Sequence, residues 1–174
     1  SGFFSGWGVR TIATSESRYN PMSYHNGSVW PHDNALIGLG LGRYGRRRAA
    51  AQILGGLFDA ATYIDLRRLP ELFCGFPRRR SQGPTFYPVA CVPQAWSAAA
   101  PLGLLQASLG IGFDPARRIV SFDRPVMPAF TDRIMLHGLA VGDARLDVLL
   151  QGEGEAVSAR VLSRSGDIHA TVTT

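Results

Sequence analysis

The sequence predicts a mainly α fold with a β-rich tail. Helical spacing of apolar residues runs through 31–63 and again through 93–109. Near Asp114 the spacing changes to every second residue. Turn residues then punctuate the chain at Gly142-Asp143, Gly152 to Gly154 and Ser165 to Asp167, as in a meander. Helices first and strands last is an α+β order, not an alternating βαβ one.

Residues 1–29 read as loop with extended pieces. Ser28 can cap a helix whose first turn takes Pro31, and Gly45 ends it after Tyr44. A second helix fits Arg46 to about Tyr63, with Ala49, Ile53, Leu57, Ala60 and Ala61 on one side. Pro70 to Pro93 is a long proline-rich loop. A third helix fits Pro93 to Leu109 and closes at Gly110; Pro101 should kink or interrupt it. Val141, Leu146, Val148 and Leu150, then Val157, Val161, Ile168 and Val172, mark an antiparallel sheet within 117–174.

The 174 residues suit one ordinary domain, or one with a small appendage. With 45% hydrophobic and 18% charged residues the chain should fold around a core. No apolar run approaches the roughly 20 residues of a membrane helix, and no secretory signal is visible. A cytoplasmic setting with no membrane partner is expected. Residue 1 is serine and FFSGWG follows, so the natural start is expected upstream. All 18 basic residues are arginine, and the net charge is +5. They are scattered, outside any nucleic-acid motif, so no nucleic-acid partner is expected. Cys74 and Cys91 are too few for a disulfide framework and read as free thiols.

Gly40-Leu-Gly42-Arg-Tyr-Gly45 matches the dinucleotide pattern G-x-G-x-x-G. That fingerprint needs a buried parallel strand before it, rich in valine and isoleucine. ALIGLGLG has one β-branched residue. Close helix packing by Gly38, Gly40 and Gly42 is the simpler reading, and no nucleotide cofactor is expected.

YNPMSYHNGSVWPHDNA, residues 19–35, concentrates the chemistry. Sugars offer flat C–H faces and rings of hydroxyls. Tyr19, Tyr24 and Trp30 suit the faces; His25, Asn26, His32, Asp33 and Asn34 suit the hydroxyls. A buried polar loop that stitches helix ends together would have the same composition. The spacing of His25, His32 and Asp33 matches no recognised metal motif, so no metal is expected. No G-x-S-x-G is present. Glu71 stands alone between Pro70 and Leu-Phe-Cys-Gly-Phe, where apolar neighbours would raise its pKa; a surface glutamate or an arginine ion pair are the other readings.

GWGVRT at 6–11, the 19–35 segment, RLPELFCGF at 68–76 and YPVACVPQAW at 87–96 together resemble the C-terminal glucosidase region of glycogen debranching enzymes. That is the amylo-α-1,6-glucosidase family of six-hairpin glycosidases. The resemblance implies the C-terminal part of an (α/α)6 toroid over 1–114 and a small antiparallel β subdomain over 115–174. It implies inverting hydrolysis of α-glucosidic bonds in glycogen or oligosaccharides. Such cleavage uses two carboxyl groups roughly 6.5–9.5 Å apart with a water between. The base of the L-P-E-L motif corresponds to Glu71. Tyr24, His25, Asn26, Trp30, His32 and Asp33 then bind substrate. The family's acid resembles an aspartate in a tryptophan-lysine-aspartate-serine stretch upstream, and this sequence has no lysine. The chain alone is therefore expected to be inactive, and uncovered helix faces should favour homo-oligomers. The alternative is a non-enzymatic or vestigial carbohydrate-binding module.

Overall fold

The computed structural model describes residues 2–154 and 156–174. Three α-helices precede six strands: α1 Pro31–Arg43, α2 Arg47–Ala61, α3 Ala95–Leu109, β1 Ile111–Asp114, β2 Ile119–Asp123, β3 Arg133–Val141, β4 Ala144–Glu153, β5 Ala156–Ser165 and β6 His169–Thr173. The strands form two three-stranded sheets, ordered β1-β2-β6 and β3-β4-β5. This is a small mixed α/β domain. It overturns the expectation of a mainly α fold that is part of an (α/α)6 toroid. The helical spacing did mark helices, but it carries no information about how many others surround them. The toroid came from the resemblance, not from any residue pattern.

The strand order also differs from a single antiparallel meander. β3, β4 and β5 pair antiparallel in sequence order. β6 leaves them and pairs parallel to β2, with Val120 opposite Ala170 and Phe122 opposite Val172. Period two marks a strand but does not choose its neighbour.

Pro31 opens α1 at its first position, but Ser28 is not the cap. The residue before the helix is Trp30, in extended conformation and without a side-chain cap. Ser28 Oγ instead donates to the Tyr24 carbonyl at 2.6 Å and accepts from Trp30 Nε1 at 2.9 Å. Pro101 lies inside α3 without ending it. Gly110 ends that helix in the left-handed conformation, with its N–H on the Gln106 carbonyl.

The three helices pack on one another around Trp7, Val29, Ile53, Leu54, Leu57 and Leu104. The buried side of α2 centres on Ala50, Ile53, Leu57 and Ala60, while Ala49 and Ala61 are half-buried. Gly38 lets α1 approach Leu104, and Gly42 lets it approach Ala107. Gly40 has no such role: a Cβ there would meet nothing within 4 Å. All three glycines lie in helix α1, so the residues just before the G-x-G-x-x-G pattern are helix rather than strand. A second core joins Leu109, Val120, Phe122, Leu146, Val148, Leu150 and Ile168 between the sheets. Leu105 of α3 packs against both cores.

The long loops are not loose. Bridges run from Arg10 to Val29, Val29 to Phe73 and Phe73 to Phe86. Val29 and Phe73 are fully buried and exchange backbone hydrogen bonds of 2.9 and 3.0 Å. A Cβ at Gly75 would collide with the Gly27 carbonyl, so the two loops can touch only because residue 75 is glycine. This ladder brings 19–30 beside 71–76.

Candidate functional site

The ladder places Tyr24 next to Glu71. Tyr24 Oη donates to Glu71 Oε1 at 2.5 Å. Glu71 is held a second time from the other side. Its N–H donates to the Cys91 carbonyl at 3.0 Å, and the Cys91 N–H donates to Oε2 at 3.3 Å. Both carboxylate oxygens therefore accept a hydrogen bond. The Tyr24 hydroxyl, and then the Cys91 backbone, hold the Glu71 carboxyl below its ordinary value of 4.5. The expectation that apolar neighbours raise it fails. The sequence neighbours are apolar, but the groups that touch the carboxylate are donors. Tyr24 responds in the opposite sense: its bond to Glu71 pushes the phenol up to about 12.

Flat rings surround this pair. Tyr24 meets His25 edge-on at 4.6 Å, Trp30 at 4.8 Å and Tyr87 at 5.6 Å between ring centres. His25 and Trp30 lie parallel, 6.0 Å apart. Trp30 meets His32 edge-on at 5.6 Å, and His32 stacks on Trp96 at 4.4 Å. His32 Nε2 sits 3.1 Å from Asp33 Oδ1, while its Nδ1 is buried without a partner among the described residues. Trp30 is buried and fastened through Nε1 to Ser28 Oγ, whereas His25 is exposed.

Six of the seven expected site residues thus form one contiguous group: Tyr24, His25, Trp30, His32, Asp33 and Glu71. Asn26 belongs to the turn before it. Its N–H donates to Ser23 Oγ at 3.2 Å and its carbonyl accepts from Asn20 N–H at 2.7 Å.

Other polar residues of the 19–35 segment hold the scaffold. Asn34 is fully buried and ties α1 to Val9, accepting its N–H at 2.7 Å and donating to its carbonyl at 3.0 Å. Tyr19 Oη donates to the Gly75 carbonyl at 3.1 Å. Arg10, also buried, donates to the same carbonyl at 2.6 Å. Within the segment the stitching role belongs to Asn34 and Tyr19, and Arg10 joins them from the preceding loop.

Tyr87, Cys91 and Trp96 join the site without having been expected there. All three come from YPVACVPQAW. Two aromatic residues flanking a cysteine in a proline-rich loop were the available signal. Among the described residues no cluster of His, Cys, Asp or Glu has the makings of a metal site. No helix among them is long and apolar enough to cross a membrane.

Residues 1–74 match the family model of the mannosylglycerate hydrolase MGH1-like glycoside hydrolase domain. The matched segment is under half of the chain but contains Glu71 and all six of the expected substrate-binding residues. It supports a glycoside hydrolase relationship in general and singles out no debranching enzyme. No curated protein matches the chain.

Proposed function

We propose that this chain contributes the general base and part of the sugar-facing wall of an inverting α-glycoside hydrolase of the debranching, α-glucosidase type. The observation that carries the reading is the Tyr24–Glu71 pair set inside a cluster of flat rings. Glu71, kept ionised by its two donors, takes a proton from water as that water attacks the anomeric carbon. Tyr24 and the Cys91 N–H hold the carboxylate in place, leaving its remaining lone pairs for the water. His25, His32 and Asp33 supply ring faces and hydrogen-bonding groups for one sugar, the buried Trp30 props the rings from behind, and Asn26 lies at the edge. In this reading the general acid lies outside these 174 residues, which hold no tryptophan-lysine-aspartate-serine stretch. The substrate is a glucan or oligosaccharide; the name of the matching family adds mannosylglycerate, a sugar carried on a small acid.

One observation favours the second reading, a sugar-binding module without catalysis. A carboxyl held below its ordinary value is a weakened proton acceptor.

The test uses the polypeptide as the cell makes it. Glu71→Gln should lower turnover of malto-oligosaccharides about 10²–10⁴-fold while leaving their binding largely intact. Gln keeps the shape but cannot take the proton. Proton NMR of the first product should show inversion. Retention, or a near-normal rate in Glu71→Gln, removes Glu71 as base. Sugar binding without turnover in the natural polypeptide favours the module.

A further inference from the structure

We infer that Trp96 forms a second sugar platform beside the Glu71 site, so that the ligand is an oligosaccharide of at least two or three units rather than a single sugar. This rests on the sugar-site reading above and deepens it.

Trp96 is the second residue of α3. One face of its indole lies on His32, with centroids 4.4 Å apart and planes 22° from parallel. Yet 53% of the residue stays exposed. A large aromatic ring left half in water at the start of a helix is unfavourable unless something covers it. Trp7 and Trp30, by contrast, are 2% and 8% exposed and packed into the fold.

The position of Trp96 has a specific cause. The segment that carries it is pinned at Cys91, whose backbone makes two hydrogen bonds with Glu71. Four residues later α3 begins, and the ring of its second residue comes down on His32, which leans edge-on against Trp30. The rings thus run in a connected row from Tyr24 through Trp30 and His32 to Trp96. His32 is further fixed by Asp33 at 3.1 Å. A ring anchored on one face and free on the other suits the flat C–H face of a pyranose. Tyr24, which touches Glu71, stands at one end of this row and Trp96 at the other, so a sugar on Trp96 is placed as the neighbour of the one at Glu71.

The experiment is calorimetric titration of the polypeptide as the cell makes it with glucose, maltose, maltotriose and maltopentaose, in wild type, Trp96→Ala and Trp96→Phe. Wild type should bind maltotriose more tightly than glucose. Trp96→Ala should weaken maltotriose roughly three- to tenfold, the range expected for one aromatic contact, and leave glucose within about twofold. Trp96→Phe should recover most of the loss. Equal weakening of glucose and maltotriose would overturn the inference, because Trp96 would then act only by propping His32. So would a Trp96→Ala variant that binds every sugar like wild type. If wild type binds none of the four sugars, the sugar-site reading itself falls, and this inference with it.

Discussion

Tyr24 and Glu71 lie 47 positions apart in sequence, and the Tyr24 hydroxyl meets the Glu71 carboxylate at 2.5 Å. Each shifts the other's titration. The bond keeps the Glu71 proton off and the Tyr24 proton on.

That coupling gives opposite pH consequences. A carboxyl whose pKa is lowered on folding contributes stability that is fully present above its ordinary value of 4.5. The contribution is lost as pH falls through the lowered value. A phenol raised to about 12 contributes stability present below its ordinary 10.0 and lost as pH rises through about 12. Tyr24→Phe removes the second and the larger part of the first, leaving the Cys91 backbone on Glu71. Carbon-13 NMR of the Glu71 carboxyl should show its midpoint rising toward the ordinary value in Tyr24→Phe. An unchanged midpoint would mean that the Cys91 backbone alone sets it.

Asp123 ties the helices to the sheets through an ion pair with Arg47. Arg47 at the start of α2 donates to Asp123 Oδ2 at 2.5 Å and to the Ala107 carbonyl at 3.1 Å. Thr173 of β6 donates to Asp123 Oδ1 at 2.8 Å. Arg47, then Thr173, hold the Asp123 carboxyl down at about 2. Its stabilising contribution is complete above the ordinary 3.8 and fades as pH falls through about 2. The carboxylate is 44% exposed, so solvent screening reduces what the pair contributes. Asp123→Asn should cost about 1 kcal/mol at neutral pH in urea unfolding, and the deficit should shrink below pH 3. A deficit that does not change with pH would show that charge is not the cause.

Two helical glycines should respond to alanine with opposite signs. At Gly40 a Cβ meets nothing within 4 Å, so Gly40→Ala should stabilise by about 0.5–1 kcal/mol through helix propensity. At Gly56 a Cβ would run into the Trp7 carbonyl, which is backbone and cannot turn aside. Gly56→Ala should destabilise by about 1–3 kcal/mol. Thermal unfolding of the two variants checks this directly. A stabilised Gly56→Ala would mean that residues 6–8 are not packed against α2.

The same contrast shows what was legible in the sequence. Pro31 and Gly110 mark helix ends by local backbone rules, and both positions hold in the structure. Ser28 obeys the same local rule yet fails as a cap, because the Trp30 indole and the Tyr24 carbonyl use its hydroxyl. The β6 strand follows from the spacing around Val172, but its parallel partner β2 lies some fifty residues away, and no local pattern reports it. The rings and polar side chains of the candidate site stood out because they are crowded into 19–35. What sets the Glu71 charge did not, because Tyr24 and Cys91 reach it only through the folded loops.

Cys91 offers a direct readout of that arrangement. Its backbone is fastened to Glu71 at both N–H and carbonyl, and the residue is exposed. Cys74 is buried, and burial pushes its thiol up, so little reactive thiolate forms there. Iodoacetamide should therefore modify one thiol quickly and the other slowly. Cys91→Ser should remove the fast phase and keep the slow one. A sugar seated at Glu71 covers this part of the surface, so saturating maltotriose should slow alkylation of Cys91 severalfold and leave Cys74 unchanged. Peptide mapping after short exposures identifies which cysteine has reacted. Equal rates at the two thiols would contradict the burial of Cys74. Fast labelling of Cys91 that is indifferent to saturating bound sugar would place the sugar away from Glu71.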